Sequence, residues 1–360
     1  MEVKAHSCVL CGSQAFRVRY KFDHFYIPSM GEWLREDLPD VPPEAFLIEC
    51  CHCRLLSLYP LPTRDLIEKI HNDPHYGFDR GDEVGSMRYA ADVMETVHKV
   101  RRRAGRLLDI GCAKGMFLAV ARHHGWEGIG VDFNPDAVSY ARDVFGVHAM
   151  VGNAEDMAFG DDRFDLITMW DVIEHLPEPL RFLSKLKNLL KPDGLLAFET
   201  PNAASLYARL RRKYWGYGPH HLYYYSPDTI KCLLDKAGLR IHLLETPNFN
   251  VLSREGLFRS GLTRDMWVNS LGQRLRVFLY QHRKQPDIRH LLHLRQRRKK
   301  IPEHSFQRRV DPAARRRVLE AELGSYAQRR SVLKTANAPL NALAQRWSLG
   351  DQLRVVCGPV

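Results

Sequence analysis

The stretch from Arg106 to Asp132 constrains this chain more than any other, because it spells out one complete strand–helix–strand unit. An apolar run, Leu107-Leu108, leads through Asp109 into a turn with Gly111 and Gly115. Phe117, Leu118, Val120 and Ala121 then recur at helical spacing. A second apolar run, Gly128 to Val131, ends on an acid, Asp132. Such units build parallel sheets, whose ligands bind beyond the carboxyl ends of the strands.

The residue types suggest what sits there. Glycines without a Cβ let a ligand approach the backbone where a helix amino terminus points its N–H groups. Asp132 follows Gly111 by 21 positions, a spacing that suits a carboxylate accepting hydrogen bonds from a ribose diol. The dehydrogenase fingerprint G-x-G-x-x-G is absent, because Cys112, Ala113 and Lys114 follow Gly111. The run Asp109-Ile110-Gly111-Cys112-Ala113-Lys114-Gly115 instead resembles the first motif of class I S-adenosylmethionine-dependent methyltransferases.

The resemblance continues in order along the chain. Val131-Asp132-Phe133-Asn134-Pro135 resembles the ribose motif, and Gly152-Asn153-Ala154-Glu155-Asp156 the adenine-side turn, with Asn153 where many members have Asp. Phe164 to Leu176, including Met169-Trp170-Asp171, resembles the fourth-strand motif, and Leu190-Lys191-Pro192-Asp193-Gly194-Leu195 the turn before the fifth strand. The resemblance implies S-adenosyl-L-methionine as cofactor. It assigns the contacts to Asp109, Gly111, Cys112, Gly115, Asp132, Phe133, Asn153, Ala154, Glu155, Met169, Trp170 and Asp171.

Cysteine spacing defines a second feature. Cys8-x-x-Cys11 and Cys50-x-x-Cys53 lie 38 residues apart, and two such pairs can close a tetrahedral thiolate shell around Zn²⁺. Four cysteines leave no open position, so the expected zinc is structural. Cys51 suits the geometry less well than Cys50, and Cys112, Cys232 and Cys357 read as small packing residues. Phe22, His24, Phe25, Tyr26, Met30 and Trp33, between the pairs, are expected to form the small module's own core, with a substrate-facing role for some of them as the alternative.

The chain has 360 residues, enough for one large core and a small second domain. No segment approaches the roughly 18 consecutive apolar residues of a membrane span, and the polar start is unlike a signal peptide. A cytoplasmic protein is expected. Thr63 can cap a helix running to Ile70, and His71 to Gly85 reads as a loop carrying Tyr76. A helix from Met87 to Val100 precedes the first core strand, with Arg101-Arg102-Arg103 as its solvated end. Beyond Asp132, helices at Asp136–Phe145 and Pro179–Leu190 alternate with strands at Ala149–Val151, Leu166–Trp170 and Leu195–Glu199. Ser226 caps a helix that ends at Ala237-Gly238, and Leu239–Leu244 is a strand. Gly350 to Cys357 supplies the last strand, antiparallel to its neighbour, as in related enzymes.

The expected fold is therefore an α/β, doubly wound, Rossmann-like seven-stranded methyltransferase sheet with a small N-terminal zinc-ribbon-like module. Its parts are a zinc-binding module (1–60), a helical linker and lid (61–100), the methyltransferase core (101–250), a basic helical insertion (251–346) and the last core strand (347–360). The insertion carries 22 Lys and Arg against 7 Asp and Glu, whereas the whole chain is +11, so the remainder is slightly acidic. That charge suits an anionic partner such as a nucleotide sugar, a lipid surface or nucleic acid, or else a solvated helical face.

Methyl transfer needs an acceptor in line with the reacting carbon, and sometimes a base. His175 and the pair His220-His221 are the candidates. The segment Gly218 to Ser226 resembles one in zinc-containing methyltransferases of sugars and other bacterial metabolites, with His221 at their histidine and His220 replacing their glutamate. A small-molecule acceptor, a sugar or related metabolite, is the preferred expectation. The alternatives are an RNA or protein methyltransferase docking through the zinc module and insertion, and a non-catalytic binding protein of the same fold. Intact Gly111, Gly115 and Asp132 argue against the last.

Overall fold

The computed structural model describes residues 7–22, 44–72, 83–160, 162–210, 221–247 and 350–360, with the single positions 313, 316, 317, 320, 321 and 345. The expected basic helices between 251 and 346, the residues Tyr76 and His220, and the cluster from His24 to Trp33 lie outside these residues.

The N-terminal module is an antiparallel sheet of β1 (Phe16–Phe22), β2 (Ala45–Cys50) and β3 (Leu56–Tyr59). Alternation in β1 leaves Phe16 buried and Arg17 exposed. Arg17, Arg19 and Arg54 all pair with the buried carboxylate of Glu49 in β2. Helix α1 (Arg64–Asn72) follows, with the Thr63 hydroxyl accepting the Leu66 N–H. Helix α2 (Glu83–Val100) starts earlier than expected and takes in Gly85, which the sequence had placed in a loop. Its tertiary contacts outweigh one glycine.

The core follows as β4 (Arg106–Ile110), α3 (Met116–His123), β5 (Glu127–Asp132), α4 (Pro135–Phe145), β6 (His148–Val151), β7 (Phe164–Trp170), α5 (Pro179–Leu189) and β8 (Leu190–Pro201). A short 3₁₀ turn, Ile173–His175, joins β7 to α5. Then come α6 (Leu206–Leu210), β9 (Tyr223–Tyr224), α7 (Pro227–Lys236), β10 (Leu239–Glu245) and β11 (Gln352–Pro359). The seven-stranded sheet runs β10-β11-β8-β7-β4-β5-β6, and β11 is antiparallel to both neighbours. The other pairs are parallel, so the order reverses at β4, the switch point of a doubly wound sheet.

Two local readings need correction. Strand β8 begins at Leu190, not Leu195, because the ladder opposes Phe164 to Leu190 and Leu166 to Leu195; Lys191 to Gly194 bulge out between the two pairs. Arg101 is not a solvated helix end. It donates to the Asp165 carboxylate at 2.8 Å, beside Lys191 at 2.7 Å and the Arg106 N–H at 2.9 Å. One carboxylate near the start of the central strand β7 gathers these three donors from separate parts of the chain.

The core lies on both faces of the large sheet. One buried polar group ties three elements together: Glu199 of β8 pairs with Arg354 of β11 and accepts the Tyr89 hydroxyl of α2 at 3.0 Å. Arg354 also donates to Thr96 at 2.9 Å. A buried charge needs such partners, and here they anchor the last strand against α2. Among the described residues, no helix is long and apolar enough to cross a membrane.

Candidate active site

The rim at the carboxyl ends of β4, β5 and β7 brings together Asp109, Asp132 and Trp170, which the sequence places up to 61 positions apart. The glycine turn after β4 is held from inside. The N–H groups of Gly111 and Cys112 both donate to the Val131 carbonyl, at 2.8 and 3.2 Å, and the Ala113 N–H donates to the Asp132 carboxylate at 2.8 Å. Three successive donors of the turn are thus taken by the end of β5 rather than turned toward a ligand phosphate. That suits a cofactor whose charge at this point is not a pyrophosphate.

Both glycines have steric reasons in the fold. Each has positive φ, and a Cβ on Gly111 would come within 2.6 Å of Val172. A Cβ on Gly115 would stand 2.7 Å from Ala141 of α4, so this glycine serves the close packing of α3 on α4. Cys112 turns its thiol into the core under Gly130, where a Cβ would lie 2.6 Å from the sulfur. Burial pushes that thiol far up and keeps it protonated.

Asp109 is fully buried. One oxygen accepts the Thr168 hydroxyl at 2.7 Å, and the other has no partner. Burial raises this carboxyl to about 7, against the Thr168 bond, with the charge of Asp132 adding to the rise. An orphaned buried carboxylate oxygen calls for a cationic or N–H-bearing ligand group. Asp132 is also raised by burial, while its bonds from Asn134, at 2.9 Å, and Ala113 oppose the rise. Carboxylate oxygens accept more than one bond each, so capacity remains for two hydroxyls.

The turn from Gly152 to Met157 lies beside them. Asn153 accepts the Glu155 N–H at 2.9 Å, and the Gly152 N–H reaches the Asp132 carbonyl at 2.9 Å. Sequence reasoning missed its main support. Lys185 of α5 donates to the carbonyls of Ala154, Glu155 and Met157 at 2.9, 2.9 and 2.6 Å. Arg64 of α1 pairs with Asp156 of the same turn. Phe133 follows Asp132 on the rim, half-buried. Trp170 packs edge-on against Phe117 with ring centres 5.0 Å apart, beyond the buried Met169 and before the exposed, positive-φ Asp171.

Past Asp171 the 3₁₀ turn presents Glu174 and His175, and His221 arrives from the other side. The two imidazoles meet edge to face, 4.8 Å between ring centres. The ligating atoms of Glu174, His175 and His221 all lie within 4.8 Å of one another. Glu174 is buried; one oxygen accepts the Thr200 hydroxyl at 2.9 Å and the other has no partner. Burial, then the nearby Asp171 charge, raise its carboxyl well above the usual range. Glu174 was not among the sequence candidates, although it stands beside His175.

The four cysteines converge as a second cluster. Cys8 and Cys53 sulfurs are 3.5 Å apart, as are Cys11 and Cys50, and all four lie within 4.8 Å of one another. A tetrahedral tetrathiolate zinc has sulfurs about 3.8 Å apart at the usual bond length. The two turns match: Gly12 N–H donates to the Cys8 carbonyl and Arg54 N–H to the Cys50 carbonyl, and both residues have positive φ. Burial raises Cys8 to about 11 and also pushes Cys53 up. At Cys50 the N–H groups of Cys53 and His52 outweigh burial and bring the thiol down to about 7. The donor set and the backbone turns fit zinc.

Seven strands in this order, with acids at the ends of β4 and β5 and no phosphate-facing glycine turn, define the class I methyltransferase architecture. Residues 85–244 match the family model described as a methyltransferase domain. The chain is 33% identical over 151 residues to a ubiquinone biosynthesis O-methyltransferase from Cereibacter sphaeroides, spanning 37% of this chain and 60% of that protein. It is 26% identical to one from Coxiella burnetii over 48% of this chain and 78% of the relative. A solved S-adenosylmethionine-dependent methyltransferase from Archaeoglobus fulgidus is 27% identical, over 44% of this chain and 71% of that one, with a TM-score of 0.38.

Proposed function

We propose that this protein is an enzyme that transfers a methyl group from S-adenosylmethionine to a hydroxyl of a small molecule, a sugar or related bacterial metabolite, in the cytoplasm. The observation that carries the reading is the cluster of Glu174, His175 and His221, within 4.8 Å of one another at the end of the strand next to the cofactor rim. The curated relatives are named for O-methylation of a small molecule, which favours an oxygen acceptor.

When bound, the cofactor supplies an electrophilic methyl group on a sulfonium. Asp132 would accept the ribose hydroxyls, and the Asn153–Glu155 turn would hold the adenine. The unpaired oxygen of Asp109 would accept from a cationic group of the cofactor. His221 would take the proton of the acceptor hydroxyl as its oxygen bonds the methyl carbon and the carbon–sulfur bond breaks, its electron pair staying on sulfur as a neutral thioether, with His175 against the His221 ring. The four cysteines hold a structural Zn²⁺, which leaves no open position for chemistry.

The deciding experiment screens hydroxylated sugars, nucleotide sugars and catechols with methyl-labelled cofactor. Label in one of these products supports the reading. Cofactor binding by calorimetry with no transfer to them, but transfer to RNA or protein, would overturn the acceptor class.

A further inference from the structure

The metal module and the histidine cluster are physically continuous. Strand β3 begins three positions beyond Cys53, the last thiol of the second cysteine turn. Its partner on the outer side is β9, with Leu56 opposite Tyr224 and Ser57 opposite Tyr223. The Leu58 N–H extends that ladder by donating to the Leu222 carbonyl at 2.9 Å. Residues 222–224, immediately after His221, are therefore strand material of the module's sheet, although they belong by sequence to the methyltransferase core.

The same segment is fastened on its other side to the 3₁₀ turn. Leu222 N–H donates to the Glu174 carbonyl at 2.8 Å, and the Tyr223 hydroxyl donates to the Pro177 carbonyl at 3.1 Å. Cys8, Cys50, Leu55, Leu222, Tyr223 and Tyr225 share one buried cluster with Ile173. A rigid path thus runs from thiolates to β3, to β9, to His221.

We infer that the four-cysteine module is the positioning element for His221: metal in the cysteine turns fixes β3, and β3 fixes the backbone that presents the imidazole to His175. The inference rests on the reading of His221 as the base. Thiolate sites without their metal lose the crosslink that organises such small modules, so loss of metal should be felt at His221 before it is felt at the cofactor. Among the described residues, β5 and β6, which carry the proposed ribose and adenine contacts, make no strand pairing with the module.

The test uses the full chain, zinc-loaded and chelator-stripped, with zinc content checked by elemental analysis. Amide exchange is read at Leu58 and Leu222, the His221 ring resonances by NMR, and cofactor Kd by calorimetry. Stripping is expected to speed exchange at both amides by about tenfold or more and to move the His221 resonances, with Kd changed less than about threefold. Unmoved resonances and amides would overturn the inference, and so would loss of cofactor binding in parallel, which would make the module a general fold element.

Tyr223→Phe supplies a second arm that leaves the thiolates alone. It is expected to keep the zinc and cofactor Kd, to move the His221 resonances and to lower kcat several-fold; no change in resonances or kcat would count against the path. The base reading fails separately: unchanged turnover in zinc-loaded His221→Ala would sink it while leaving the amide and ring readouts of the unsubstituted chain as they are.

Discussion

The N–H of Leu222 donates to the carbonyl of Glu174 at 2.8 Å, and this one backbone bond joins the two segments that carry His221 and His175. Residues 46 positions apart are held with their rings 4.8 Å between centres. Neither segment could set that distance alone. A hydrogen bond between two main chains does not depend on side-chain rotamers, so the pair is built before any ligand arrives.

Replacing His221 by Ala is expected to lower kcat by about 10²-fold or more with cofactor Kd unchanged, the size usual for a lost general base. Glu174→Gln, which keeps the shape and the Thr200 hydroxyl as partner, should cost less. Steady-state kinetics beside calorimetry separates the two; a shift in Kd with constant kcat would move His221 out of the chemistry.

Asp132→Ala removes both the proposed ribose acceptor and the acceptor of the Ala113 and Asn134 N–H groups. Hydrogen bonds to a charged group contribute about 1.5–3 kcal/mol each, so cofactor Kd should rise by about tenfold or more. Asn at this position retains one acceptor oxygen and is expected to fall between. Titration calorimetry reads both variants.

Asp109 makes cofactor binding pH-dependent. Its carboxyl lies at about 7 in the folded protein against an ordinary 3.8, so the ligand-free fold favours the protonated form. A cationic ligand favours the ionised form, so affinity should strengthen as pH rises toward and past 7, with proton release on binding. Calorimetry in two buffers of different ionisation enthalpy counts that proton, and Asp109→Asn should abolish it. For the ligand-free protein the sign is opposite: stability from this group is complete below 3.8 and is lost as pH rises through about 7.

Lys185→Met keeps the stem length and deletes the three bonds to the carbonyls of Ala154, Glu155 and Met157. The adenine-side turn should loosen, and cofactor Kd should rise about three- to tenfold with kcat at saturation little changed. An unchanged Kd would make Lys185 a surface lysine with respect to binding.

What could be read without coordinates was what neighbouring residues decide. The β4–α3–β5 unit, the cap at Ser226 and the paired cysteine turns each depend on residues a few positions apart, and each formed as expected. The parallel run of the sheet followed from alternation of strand and helix, and β11 from the shortage of a last strand.

Other features depend on which distant groups share a volume. Arg101 looked solvated until Asp165 was placed beside it, and the close packing of Gly115 on Ala141 had no signal in the sequence. Lys185 and Glu174 carried no signal because their partners are backbone carbonyls and a threonine hydroxyl, groups that occur everywhere in a chain. Sequence by itself determined the sheet, the thiolate set in the form of paired turns and the acids of the rim, since periodicity and short spacings are local physics. Only the tertiary structure decided that His221 stands against His175 and hangs from the cysteine module, because that requires desolvated hydrogen bonds and packing between segments whose spacing in sequence does not limit their meeting.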